Sequence, residues 1–192
     1  IGPLARRAGD YQLSGLFCGF IEDKYALNGD AVFDPMVAFL KEILFMPRLE
    51  NGAFLEAVVE SEKKNLIATI ESRLNDKRAY AADTLMHHMC ATDSYGIPRL
   101  GDKADVAAIT AKSLYKHYEK LLREGRVELF YVGSASTETV ADCLRDLFAD
   151  RERKVAPLPP QTGFSDEGGG QFEETMAVSQ GKLAIGYYSP IT

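Results

Sequence analysis

Four glutamates, Glu56, Glu60, Glu62 and Glu71, lie in or beside a near-continuous helical run from Val58 to Met89 that contains neither Gly nor Pro. A carboxylate on a helix can ligate a divalent cation, act as a general base, or simply pair with a nearby lysine. Glu60 is spaced to pair with Lys64 at i+4, a surface contact worth about 0.3–0.5 kcal/mol. The three histidines of the chain are His87, His88 and His117. His87 and His88 are neighbours on a helix, about 100° apart, so they do not readily share one ion. Asp83, His87 and Cys90 fall on one face at i, i+4 and i+7. That face suits a metal if further ligands arrive from elsewhere, and otherwise reads as a solvated or core-edge face. The HExxH and HxxEH patterns are both absent.

Ser113 and His117 are spaced to touch on a helix, but no sharp turn or oxyanion hole accompanies the serine, and interior helix positions explain both. Cys18, Cys90 and Cys143 lie far apart in apolar settings and read as buried thiols of a reducing compartment. Gly133-Ser-Ala-Ser-Thr has one glycine and lacks a Gly-Lys-Ser/Thr ending, so a helix cap is the better account than a phosphate loop.

These residues need elements to hold them. Leu55, Val58, Val59, Leu66, Ile70 and Leu74 form a broken apolar stripe with helical spacing, so the glutamate run is predicted as one long amphipathic helix. Before it, Ala8-Gly9-Asp10 offers a turn between extended runs at Gly2–Arg7 and Tyr11–Phe20, a plausible hairpin. Asn28-Gly29-Asp30 breaks the chain ahead of a helix with Val32, Phe33, Met36, Leu40, Ile43 and Leu44 on one face. Asp30 or Asp34 can cap it, and Pro47 stops it. After the loop Asp93–Gly101, helices are predicted over Lys103–Ile109 and Ala111–Arg123, the second capped by Thr110 with Leu114, Tyr115, Tyr118, Leu121 and Leu122 inward. Arg126–Val132 has strand composition, and Ser136 can cap a helix through Phe148 that points Val140, Cys143, Leu144 and Leu147 inward. Prolines and glycines between Glu152 and Gln171 read as a linker. Thr175–Ser179 and Lys182–Tyr188 read as strands joined at Gln180-Gly181.

Composition bounds the rest. At 192 residues, 46% hydrophobic and 26% charged, the chain suits one ordinary domain with a core. The net charge is -6, and the basic residues are interleaved with acids. A polyanion meets no continuous positive stripe, so nucleic acid is not an expected partner. No apolar run approaches the roughly 20 residues that span a bilayer, so no membrane partner is expected either. The absence of a secretion signal, together with the thiols, implies a cytoplasmic location. The chain starts at Ile1 rather than Met, which a truncation explains.

Taken in order, the hairpin, EILFMP, VESEKKNLIATIESRLNDKRAYA, the SYG loop, LYKHYEKLL, VELFYVG, the Pro/Gly linker and QGKLAIGY resemble the insulinase/pitrilysin family of zinc metallopeptidases. The likeness is closest to their bacterial, processing-peptidase-like branch, and within it to members with a degenerate active site. It runs over essentially the whole chain, and VESEKKNLI and QGKL are its more specific segments. The resemblance implies an α+β fold, a mainly antiparallel sheet backed by helices, present here as an incomplete half of a processing-peptidase-like domain. Residues 1–151 would be the latter part of the first domain, 152–172 a linker, and 173–192 the opening strands of the second. Active members bind zinc through an HxxEH helix, with a glutamate from a later helix as third ligand, and the resemblance places Glu60 at that third position. The HxxEH helix would lie upstream of Ile1. Active members also present an Asn-Ala pair on the strand to which substrate adds, and the matching positions here are Leu4 and Ala5. Backbone pairing does not require the asparagine.

Three functions follow. The first is a non-catalytic, peptide-binding or scaffolding homologue that takes a peptide or protein substrate and pairs with an active peptidase homologue. The second is an active zinc metalloendopeptidase whose HxxEH helix lies outside this chain. The third is an unrelated soluble α+β interaction domain. Hydrolysis needs a metal-polarised water and a general base. Glu60 alone supplies neither, so this chain as it stands is expected to be inactive, with no catalytic residue and no cofactor of its own. The apolar surface left by a missing helix predicts self-association.

Overall fold

A computed structural model of the chain describes residues 2–8, 11–92, 96–157 and 170–187. The elements are β1 (Gly2–Ala8), β2 (Tyr11–Phe17), α1 (Phe33–Phe45), β3 (Leu49–Glu50), β4 (Ala53–Phe54), α2 (Glu56–Ser72), α3 (Lys77–Met89), α4 (Lys103–Ala108), α5 (Ala111–Glu124) and α6 (Thr137–Phe148). β1 pairs with β2, and β3 pairs antiparallel with β4. Helices beside short antiparallel ladders make the fold α+β.

The predicted β1–β2 hairpin is present, with the turn at Gly9 and Asp10 outside the described residues. A second hairpin joins β3 to β4 through Asn51 at φ 52° and Gly52 at φ 74°. Two left-handed residues in a two-residue loop match the right-handed twist of paired strands, which is why Asn-Gly occupies it.

The long glutamate helix is two helices. Asp76 Oδ1 accepts from the backbone N–H groups of Arg78 (3.1 Å) and Ala79 (3.0 Å), which starts α3 afresh after α2 and a short 3-10 turn at Arg73–Asn75. An aspartate mid-run competes for backbone donors and so nucleates a cap rather than continuing a helix. The apolar stripe is only partly inward: Val59 is buried, whereas Val58 and Leu74 are exposed.

The chain divides into two compact units. The first comprises Ile1–Pro3, Leu16–Val59 and Thr110–Leu158. Its α1 is capped from a distance: Asp23 Oδ1 accepts from Val32 N at 2.8 Å and Phe33 N at 3.2 Å. Neither Asp30 nor Asp34 provides the cap. α5 starts with a capping box in which Thr110 and Ser113 satisfy each other's backbone N–H groups. Tyr115 and Tyr118 of α5 pack edge-on against Phe54, and the Tyr118 hydroxyl donates to the Leu44 carbonyl. Leu121, expected inward, is exposed. Ser136 caps α6 by accepting from Thr139 N, and Val140 and Leu147 of α6 are buried.

The chain leaving α6 is strapped back onto the helix ends. The Arg151 guanidinium sits 4.2 Å over the Phe45 ring and donates to the Phe45 carbonyl at the end of α1. Arg153 lies over Phe148 and donates from Nε to Leu122 O at 3.0 Å and from Nη2 to Gly125 O at the end of α5. Lys154 N and Ala156 N then donate to the carbonyls of Arg123 and Glu124. Cations and N–H donors here meet the carbonyls that a helix leaves unsatisfied at its C-terminus.

The second unit comprises Leu4–Gly15, Glu60–Ile109 and Pro159–Thr192. Asp102 caps α4 by accepting from Ala104 N at 2.7 Å. Cys90 and Val106 are buried. Phe172 stacks flat on His88 with ring centroids 3.7 Å apart, and Tyr80 donates to Glu174 Oε2 at 2.9 Å.

Three segments of strand composition, Arg126–Val132, Thr175–Ser179 and the described part of Lys182–Tyr188, form no ladder among the described residues. Phe130, Val132, Leu183 and Tyr187 are almost fully exposed. Strand composition marks residues that suit a half-covered pleated surface. It does not supply the neighbouring strand.

Candidate functional site

Glu60 lies in the second turn of α2, with its side chain half-exposed at 50%. It does not pair with Lys64 at i+4. Lys63 Nζ donates to Glu60 Oε1 at 2.7 Å and also to the Ile109 carbonyl at 2.8 Å. Ile109 is the C-cap residue of α4, so the ammonium closes that helix end while resting on the carboxylate. The Lys63 side chain is only 14% exposed, and it spans α2 and the end of α4 with one charge. Sequence spacing favours i+4 contacts on an isolated helix. The carbonyl of Ile109 decides for i+3 here, because Lys63 can satisfy both acceptors at once.

Other candidate ligands are engaged elsewhere. Asp83 forms an ion pair with Arg73, and His87 Nδ1 lies 3.1 Å from the Gly96 carbonyl. Gly96 presses close to the Cys90 carbonyl, where a side chain would not fit. Cys90 is buried, and Cys18 and Cys143 are half-buried. His88 is stacked on Phe172, with its centroid 5.6 Å from that of His87. Ser113 is taken up in the α5 capping box, and His117 is exposed. Among the described residues no three His, Cys, Asp or Glu side chains converge as a cation requires. Glu60, already bonded to an ammonium, is a poor fit for zinc as this chain presents it.

Leu4 and Ala5 sit in β1. A strand with one edge paired in a hairpin has a second edge whose N–H and C=O groups can bond an added strand.

Tyr80 has its phenol pushed up, first by donating to Glu174 and then by burial. Tyr118 is also raised, mainly by burial among its aromatic neighbours. The Arg151–Arg153 strap and the Lys63 bridge are not evident from periodicity. The available signal was a basic cluster (Arg151, Arg153, Lys154) directly after a helix and before prolines, where cations commonly meet helix ends.

Comparison with known proteins fits this geometry. Residues 108–192 match the family described as Peptidase M16 inactive domain. The chain is 30% identical over 172 residues to the "Probable inactive metalloprotease YmfF" of Bacillus subtilis (strain 168), covering 88% of this chain and 40% of that protein. It superposes with a TM-score of 0.63 on the crystal structure of a conserved protein from Enterococcus faecalis V583. The two are 34% identical, and the match covers 70% of this chain and 32% of the other. The chain therefore spans well under half the length of these relatives. By fold it is an α+β protein of the peptidase-like class. Over most of its length it is similar to the insulinase/pitrilysin (M16) metallopeptidases and their inactive relatives.

No helix among the described residues is long and apolar enough to cross a membrane.

Proposed function

We propose that the chain is part of a non-catalytic M16 homologue that binds extended peptide and works beside an active peptidase or a second copy of itself. The observation that carries this reading is the likeness to an inactive-domain family and to a relative named as an inactive metalloprotease. In this reading Glu60 is the vestige of the third zinc-ligand position, and no residue of this chain is catalytic. Residues 1–151 belong to the first domain, 152–172 to the linker, and 173–192 open the second domain. The protein works in the cytoplasm. Peptide recognition rests on the edge of β1 turned away from β2, which pairs with no strand among the described residues, at Leu4 and Ala5, where main-chain bonds give affinity without zinc.

Proline tests the edge directly, because it removes a ladder N–H. Successive N–H groups point to opposite edges of a strand, so Leu4→Pro and Ala5→Pro are made in parallel. One of the two weakens binding of a fluorescent extended peptide at least about tenfold, the cost of roughly one lost bond and a distorted edge. Its partner substitution disturbs pairing with β2 instead. Equal, undiminished binding by both variants removes β1 from the account.

A further inference from the structure

Glu60 and Lys63 form a site in their own right, one that rests on the reading of Glu60 as the vestigial third-ligand position. Lys63 lies 2.7 Å from the carboxylate and 2.8 Å from the last carbonyl of α4, with six-sevenths of its side chain covered. An ammonium removed from water to that degree needs its counter-charge, because a covered cation left unpaired is costly. A carboxylate that already shares a proton donor and a full positive charge offers little to an incoming dication. The ammonium therefore does for this carboxylate what a metal ion does in an active relative: it neutralises it and fixes its orientation.

We propose that Lys63 is the resident counter-cation of Glu60, standing in for a metal, and that it positions this carboxylate by anchoring it to the C-terminus of α4. Lys63 is a positioning residue. It touches no substrate and takes part in no reaction. The arrangement makes the α2–α4 contact independent of zinc, which suits a protein that retains the fold of a peptidase without its chemistry.

The test uses the 192-residue chain, with thermal melting and the 15N-detected ammonium signal of Lys63 as readouts. A hydrogen-bonded, covered ammonium exchanges slowly enough to be observed. Adding zinc to the native chain is expected to leave both the melting temperature and that signal unchanged. Glu60→Gln shifts or abolishes the signal and lowers the melting temperature by about 3–6 °C, since it strands a covered cation. Glu60→Gln combined with Lys63→Met loses less than the two single losses added together, because the partners are coupled. Lys63→Arg preserves most of the native melting temperature.

Two results overturn the proposal. In the first, zinc raises the melting temperature of the native chain and Glu60→Gln abolishes that rise, which makes Glu60 a live ligand. In the second, Glu60→Gln leaves the ammonium signal unchanged and the losses add, which makes Lys63 a helix cap with no tie to the carboxylate. If Lys63→Met fails to fold, the zinc arm and the Glu60→Gln signal still decide between these outcomes. Peptide cleavage by the full-length gene product would defeat the non-catalytic reading while leaving these measurements on Lys63 to stand or fall separately.

Discussion

Arg153 and Lys63 each close a helix end in this molecule, and they do so differently. Arg153 closes α5 by donating to Leu122 O and Gly125 O while lying over the Phe148 ring. Lys63 closes α4 through a single bond to Ile109 O and holds Glu60 by donating another of its N–H hydrogens. The arginine's charge is met by carbonyl dipoles and an aromatic face, so nothing anionic is required beside it. The lysine is a compact point charge, and it keeps a carboxylate as neighbour. A carboxylate beside a covered lysine thus answers a specific electrostatic need, whereas an arginine at a helix end already has its acceptors.

Substitution sharpens this contrast. Arg153→Ala strips two carbonyls of their charged donor and uncovers Phe148, and is expected to destabilise the unit by about 2–3 kcal/mol in urea unfolding. Arg153→Lys restores the charge but not the planar fork, and recovers less than half of that loss. A full recovery by lysine would erase the distinction between the two cations. The Glu60–Lys63 pair should show its smaller effect chiefly as coupling, which the Arg153 site lacks.

The smallest effect is expected where no cation is involved. Tyr80 donates to Glu174, and this bond raises its pKa above the ordinary tyrosine value near 10. A raised pKa means the contribution is complete below the unfolded value and is lost as pH rises through the folded one. Tyr80→Phe should therefore cost about 0.5–1 kcal/mol near pH 8. The gap between native and variant should narrow as pH rises past the ordinary tyrosine value and through the raised folded one. A gap that stays constant through that range would show that the hydroxyl contributes nothing through its proton.

How far the sequence displays this structure follows from where each element finds its hydrogen bonds. Helices close their bonds within themselves and announce their starts through a side chain. Thr110 and Ser136 therefore mark the starts of α5 and α6. Asp76 starts a new helix from within a run of helix-forming neighbours, and α1 takes its cap from Asp23, nine residues before the first bond it receives. Arg126–Val132 shows the opposite limit. Alternation there is clear, but a strand is completed only by a neighbour elsewhere in the chain, and Val132 remains fully exposed. Of the candidate site, the residue type at position 60 and its helix were legible. The choice of Lys63 over Lys64 was not, because it depends on a carbonyl 46 positions away.

The kinship and the non-catalytic reading meet in one measurement. Purify the full-length gene product, quantify bound zinc, and incubate it with a mixture of extended peptides with and without a chelator. Peptides are expected to be bound and to remain intact under both conditions, with zinc well below one equivalent. Stoichiometric zinc with cleavage that the chelator stops would contradict it and return Glu60 to service as a metal ligand.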